Sequence, residues 1–260
     1  MTQSHNFRGR WTDAVLAVLA LLTAAPASAH FQELIPDTDI LPDGARSVRL
    51  ELAFTHPMAR GPVMEMGTPI RFGVVSGGKV EDLKDRLKPR KLDGRTAFEA
   101  TCDIKSPGDR VFFVEPAPYW EAAEGKWIVH YAKVVVDAGS GTGWDRPAGL
   151  PVEILPLSRP YGLWTGNLFR GQVVRAGKPV PGAQVEVEWR NDGSVKVPSD
   201  PFLTQVVKAD ADGVFAYAMP RAGWWGFAAL VDGPRIKGPD GKPAPVELGA
   251  VMWVKTVDMK

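Results

Sequence analysis

The sequence predicts an all-β protein made of two β-sandwich domains in tandem. Three observations carry this expectation. Short runs that alternate apolar and polar residues are common, whereas helical periodicity is scarce. The chain contains 27 glycines and 23 prolines, and they punctuate these runs. The runs also fall into two sets, on either side of a Pro- and Gly-rich stretch, "PLSRPYGLWTG" at 156–166. Many short strands at turn-bounded spacing read as sandwiches.

The first segment is not part of either sandwich. Arg8 and Arg10 precede an apolar run from Ala14 to Ala25, then Pro26 and the small-x-small tripeptide Ala27-Ser28-Ala29. Together these form the pattern of a secretory signal peptide. The run is short of the roughly 20 apolar residues that a membrane-spanning helix needs. Gly9 separates the two arginines, so the general secretion route is expected rather than the twin-arginine one. Residues 1–29 are therefore expected to be removed, leaving His30 as the mature N-terminus of a periplasmic or secreted protein without a transmembrane segment.

Predicted strands of the first set lie at 47–54, 70–75, 97–104, 110–116, 127–138 and 151–157. The mixed-charge stretch "KVEDLKDRLKPRKLDGR" (79–95) reads as a solvated loop or short helix. The second set lies at 168–177, 183–191, 203–210, 213–220, 223–233 and 249–257. The implied domains are 30–157 and 165–260, joined by a linker at 158–164. Each is close to the ~100-residue size of an immunoglobulin/transthyretin-like sandwich.

Composition narrows the function classes. Loss of Arg8, Arg10 and Asp13 leaves a formally neutral mature chain, which argues against a nucleic-acid partner, since phosphate binding needs a basic patch. The single cysteine, Cys102, alternates with Phe98, Ala100 and Ile104 on one strand face and reads as a core residue. "DADG" at 210–213 has two acidic residues of a calcium loop but lacks the distal Glu, so it reads as a hairpin turn. In the pair Trp224-Trp225, one ring is expected to fill the core while the other covers an interdomain surface. No G-x-S-x-G, H-E-x-x-H or paired Cys/His motif points to a hydrolase.

The histidines carry the functional signal. His5 falls in the signal segment, which leaves His30, His56 and His130. A terminal His30 offers its α-amine and ring Nδ1 to one ion as a chelate. His56 follows a strand, and Pro57 forces a turn after it. Met58, Met64 and Met66 lie nearby; thioethers suit soft metals such as Cu(I), although methionines more commonly pack in cores. His130 shares a strand face with Ile128 and Ala132. Three imidazoles and one amine form a nitrogen set suited to Ni(II), Co(II) or Cu(II).

Several segments carry a resemblance: the mature start "AHFQELIPD", "FTHPMARGPVMEMGTPIRFGVV", "KWIVHYAKVVV" and "GQVVRAGKPVPGAQVEVEW…ADADGVFAYAMPRAGWWGFAAL". In order and over nearly the whole mature chain, they resemble the periplasmic components associated with bacterial nickel and cobalt uptake transporters. The resemblance implies an exported, non-enzymatic two-domain β protein that binds Ni(II) or Co(II) through His30, His56 and His130. It also implies contact with a membrane metal transporter component. Two alternatives stand beside it. One is a copper histidine-brace oxidative enzyme or copper-handling protein; the other is a structural adhesion or scaffold module.

Overall fold

The computed structural model describes residues 30–139 and 141–260; the predicted signal segment 1–29 lies outside the described residues. Their regular structure is all β, apart from two short 3-10 turns at Lys84–Arg86 and Asp200–Phe202. The first ten strands are β1 (Phe31–Pro36), β2 (Ser47–Thr55), β3 (Arg71–Ser76), β4 (Lys79–Asp82), β5 (Lys88–Leu92), β6 (Arg95–Asp103), β7 (Arg110–Glu115), β8 (Tyr119–Glu121), β9 (Lys126–Val136) and β10 (Val152–Pro156). The remaining ten are β11 (Leu163–Trp164), β12 (Leu168–Arg175), β13 (Lys178–Pro179), β14 (Gln184–Trp189), β15 (Gln205–Lys208), β16 (Val214–Ala218), β17 (Gly223–Asp232), β18 (Ile236–Lys237), β19 (Pro243–Ala244) and β20 (Val246–Val257).

Three sheets matter for the site. The largest runs β15-β14-β17-β20-β9-β7-β3-β4, with β8 and β11 attached to β9 and β20. A four-stranded sheet, β1-β2-β6-β5, covers one of its faces. A smaller sheet of β10, β12, β13 and β16 covers the other. Strands β9, β17 and β20 send side chains into both cores: Ala132 and Trp253 into one, Val135 and Met252 into the other. This explains their near-continuous apolar sequences, because a strand buried on both faces has no polar side to alternate with. Residues 158–164 connect β10 to the second half. Strands from either side of that segment, β9 and β20, pair in parallel from Val246↔Trp127 to Trp253↔Val134.

Two sequence expectations need correction. The charged stretch 79–95 is not a loop or helix; it forms β4, a 3-10 turn and β5, which returns into β6 through Asp93-Gly94. Both turn residues have positive φ, 49° and 77°, the geometry of a two-residue hairpin whose twist matches its strands. Its side chains are largely exposed, so no apolar face marked it as sheet. The "DADG" segment does turn, with Asp210 Oδ1 accepting from the amides of Asp212 and Val214. It does not close a hairpin, however, because β15 pairs with β14 while β16 pairs with β12.

Strand β1 escaped the sequence reading because "FQELIP" shows no alternation, and all six residues are buried. Its polar members are satisfied inside. Gln32 Nε2 donates to the carbonyls of Glu33 and Ala53, and Glu33 meets Arg190 Nε at 3.1 Å. Burying such groups is tolerable only with partners of this kind. Of the Trp224-Trp225 pair, Trp225 joins one core and Trp224 packs against the other. Cys102 is buried on β6, where burial pushes its thiol up to about 11.

Two glycines let rings approach the backbone of the large sheet closely. A Cβ at Gly226 would come 2.9 Å from Phe31 and Trp253. At Gly249, opposite His130, it would come 2.3 Å from the imidazole Cδ2. Gly249→Ala is therefore expected to cost about 1–3 kcal/mol through overpacking, read as a lower midpoint in urea denaturation. An unchanged midpoint would show that His130 does not rest on the β20 backbone.

Candidate metal centre

The β1–β2 register brings the first two histidines together. Phe31 pairs with Thr55, so the residues one step further out, His30 and His56, face each other at the strand ends. Their ring centroids lie 4.6 Å apart. Both residues are buried. Phe54 stacks on the His30 ring at 5.4 Å, and Tyr119 closes another side at 6.1 Å.

This surround decides the protonation of His30. Burial lowers its pKa most, and charge on His56 and His130 lowers it further, while Glu121 and Glu124 pull the other way; the result is about 4. At neutral pH the ring is a neutral imidazole, the form that can ligate a metal. Its Nε2 lies 3.1 Å from Glu121 Oε2. With the proton on Nε2 and donated to that carboxylate, the lone pair rests on Nδ1. That nitrogen could close a chelate with the α-amine of His30 were the chain to begin there.

His130, the third candidate ligand, meets the His30 backbone through its ring. Its Nδ1 donates to the His30 carbonyl oxygen at 2.6 Å, and its Nε2 meets Glu247 Oε1 at 3.1 Å. Glu247 is two residues before Gly249 on β20 and also receives Lys126 Nζ at 2.5 Å. Burial pushes the Glu247 carboxyl up, but the bonds from His130 and Lys126 outweigh it and hold the group down to about 2. Both ring nitrogens of His130 therefore have oxygen partners, and the side chain acts as a strut between β20 and the His30 backbone.

The methionines pack rather than converge on the imidazoles. Met64 and Met66 belong to the core beneath β1–β2, and Met58 packs against the opposite core. Met66 shares a small pocket with Gln32, Phe54, Tyr119 and His130, and its sulfur receives Gln32 Nε2 at 3.9 Å. Beyond His130, buried carboxyls line the same face of the sheet. Burial raises Glu186, Glu188 and Glu33; Glu188 reaches about 7 despite hydrogen bonds from Thr204 and the Met58 amide.

Among the described residues, no set of three or more His, Cys, Asp or Glu side chains is arranged to hold a metal ion. The side chains supply two adjacent imidazoles; a third nitrogen would come from the α-amine of a mature His30. Sequence reasoning missed Glu121 and Glu247. Nothing separates "YWEAAEGK" from any charged hairpin until β8 folds back on β9 and aims Glu121 at His30.

Comparison with known proteins gives a family but no activity. The family model described as "Domain of unknown function (DUF4198)" matches residues 27–233. No curated protein matches the sequence significantly. Among solved structures, the chain is similar to the D0-D1 domain of intimin, at 14% identity over 86% of this chain and 99% of that one, with a TM-score of 0.23. It is also similar to a bacterial ice-binding adhesin concerned with host cell surface retention (9% identity, 89% and 65% covered, TM-score 0.26). A third likeness is to the fibronectin(III)-like modules of Clostridium thermocellum CbhA (9% identity, 86% and 95% covered, TM-score 0.19). At these scores the architecture is read from this chain's own strands. No helix among the described residues is long and apolar enough to cross a membrane.

The depressed His30 pKa fixes a pH signature. Folded His30 stays neutral down to about 4, whereas the unfolded residue takes a proton near 6.5. Between those values the unfolded chain binds more protons, so the contribution of His30 to stability is constant above the window and falls as pH drops through it. The stability difference between the wild type and His30→Phe is expected to shift against the wild type from pH 7.5 to pH 4.5 in denaturant titrations. A His30 midpoint near 6.5 by NMR would contradict the desolvated site.

Proposed function

This chain belongs to the family described as a domain of unknown function, DUF4198, and from its site we propose that it is an exported transition-metal-binding protein serving nickel or cobalt uptake. The ion is cargo, captured and passed to a membrane transporter component. The supporting observation is the state of His30: a neutral ring beside His56, with Nε2 on Glu121 and Nδ1 left for the ion. A carboxylate on the far nitrogen of a ligating histidine orients the ring and raises its basicity. The α-amine, His30 Nδ1 and a His56 nitrogen make the donor set, and His130 holds the His30 carbonyl in place. Nitrogen donors of this kind suit Ni(II), Co(II) and Cu(II).

A copper histidine brace uses a similar terminal chelate. Oxidation of a polymer needs an open position on a flat exposed surface. Here His30 and His56 are buried and Phe54 and Tyr119 flank the His30 ring, which favours capture of a bare ion over attack on a large substrate.

The test uses the mature chain beginning at His30, titrated with each metal by competition against a chromophoric chelator. Affinity is expected to rise from Co(II) through Ni(II) to Cu(II). Glu121→Gln should weaken binding by about 10–100-fold, as loss of an outer carboxylate typically does. His56→Ala and a one-residue N-terminal extension should each weaken it more. Absence of binding at micromolar metal, or equal binding by the extended chain, would overturn the terminal-chelate reading. A gene-disruption strain with unchanged Ni and Co uptake would overturn the transport role.

A further inference from the structure

His56 lies in the first half of the chain, but its loop is held by the second. After β2 the chain runs through Pro57 and Met58 and folds back, with the Gly61 amide donating to the His56 carbonyl at 3.1 Å. The end of β14 and the residues after it bind this loop at three backbone positions. Glu188 Oε2 accepts the Met58 amide at 2.9 Å. Asn191 Nδ2 donates to the Met58 carbonyl at 3.1 Å, and the Asn191 amide donates to the Pro57 carbonyl at 3.2 Å.

Both clamping side chains are themselves fixed. Glu188 is 2% exposed, and its other oxygen accepts Thr204 Oγ1 at 2.5 Å. Asn191 Nδ2 also donates to Val195 O at 2.8 Å, while its Oδ1 accepts the Gly193 amide at 2.9 Å. The guanidinium of Arg60 lies against Gly193 so closely that a Cβ there would be 2.8 Å from its Nη1. A loop on a sandwich rim has no intrinsic reason to hold one conformation. This one has its backbone pinned next to the residue whose ring must meet His30.

We propose that Glu188 and Asn191 are positioning residues for His56, so that the C-terminal half of the chain sets the geometry of a site whose histidines all come from the N-terminal half. The inference rests on the metal reading for its ligand, but the clamp itself can be read without metal. A ligand pair 4.6 Å apart between ring centroids tolerates little displacement, and supporting contacts of this kind govern how well a site is preorganised.

The experiment compares wild type, Glu188→Ala, Asn191→Ala and Glu188→Gln, with Phe215→Leu as a control destabilised in the other core. Two readouts are taken on the mature chain. In the metal-free protein, hydrogen exchange of the Met58 amide and the NMR signals of the His56 ring are followed. With Cu(II) as probe, the dissociation constant and the EPR hyperfine parameters are measured. Glu188→Ala and Asn191→Ala are expected to speed Met58 exchange and to shift or broaden the His56 signals. They should weaken Cu(II) by about tenfold or more, with altered EPR parameters. Glu188→Gln, which keeps an acceptor for the Met58 amide, should stay near the wild type, and Phe215→Leu should lower the melting temperature without touching the EPR spectrum. Unchanged His56 signals and Met58 exchange in both alanine variants would overturn the clamp, whether or not metal binds. Failure of the wild type to bind Cu(II), with those metal-free signals still shifted, would overturn the metal reading and leave the clamp intact.

Discussion

The parallel pairing of the last long strand, β20, with β9 is the constraint on which the rest of the structure depends. It sets Gly249 opposite His130 and brings Glu247 within reach of the same ring. From there the chain of contacts runs Lys126, Glu247, His130 and the carbonyl of His30. The pairing also makes one sheet of strands from both halves of the chain, so each core is closed by residues distant in sequence. A parallel neighbour requires a long connection, and here that connection is most of the second half.

Polar groups buried against this sheet are organised rather than incidental. Lys133 Nζ and Glu153 Oε2 meet at 2.6 Å between the large sheet and β10, and the amides of Ala148 and Gly149 complete the carboxylate. Burial alone would drive the lysine toward its neutral form; the carboxylate opposes that. A buried pair of this kind adds little net stability, yet losing one partner leaves an uncompensated charge. Glu33 with Arg190, and Glu188 with Thr204 and Met58, follow the same rule on the other face. Those contacts also link β1 and the His56 loop to β14 and the residues beyond it.

Under the proposed metal reading, the site divides its labour between groups that would touch an ion and groups that place them. His30 and His56 stand at the adjoining ends of β1 and β2, where the register makes them neighbours. Glu121 fixes the tautomer of one, His130 fixes its backbone, and the β14 end fixes the loop of the other. The cost of such preorganisation falls on folding, through the desolvated His30 imidazole and buried carboxyls such as Glu188, whose pKa values move far from their ordinary range.

Several features were legible in the residues themselves. The all-β class followed from period-two alternation between glycines and prolines. Most strands of the two cores were visible because an alternating or continuous apolar run has few other uses. Cys102 was readable as a core residue for the same reason, and the proximity of three histidines was an expectation that their contexts suggested. Tertiary structure decided what no local pattern encodes. Strand β1 carries no alternation because it is buried on every side, and the charged stretch 79–95, which forms β4 and β5, carries no apolar face because it is exposed on most. Which nitrogens of His30 and His130 are spoken for depends on Glu121 and Glu247, which lie 91 and 117 residues away from the rings they bind. Side-chain type and spacing along a strand fix which face a residue presents; only the pairing of distant strands fixes what it meets there.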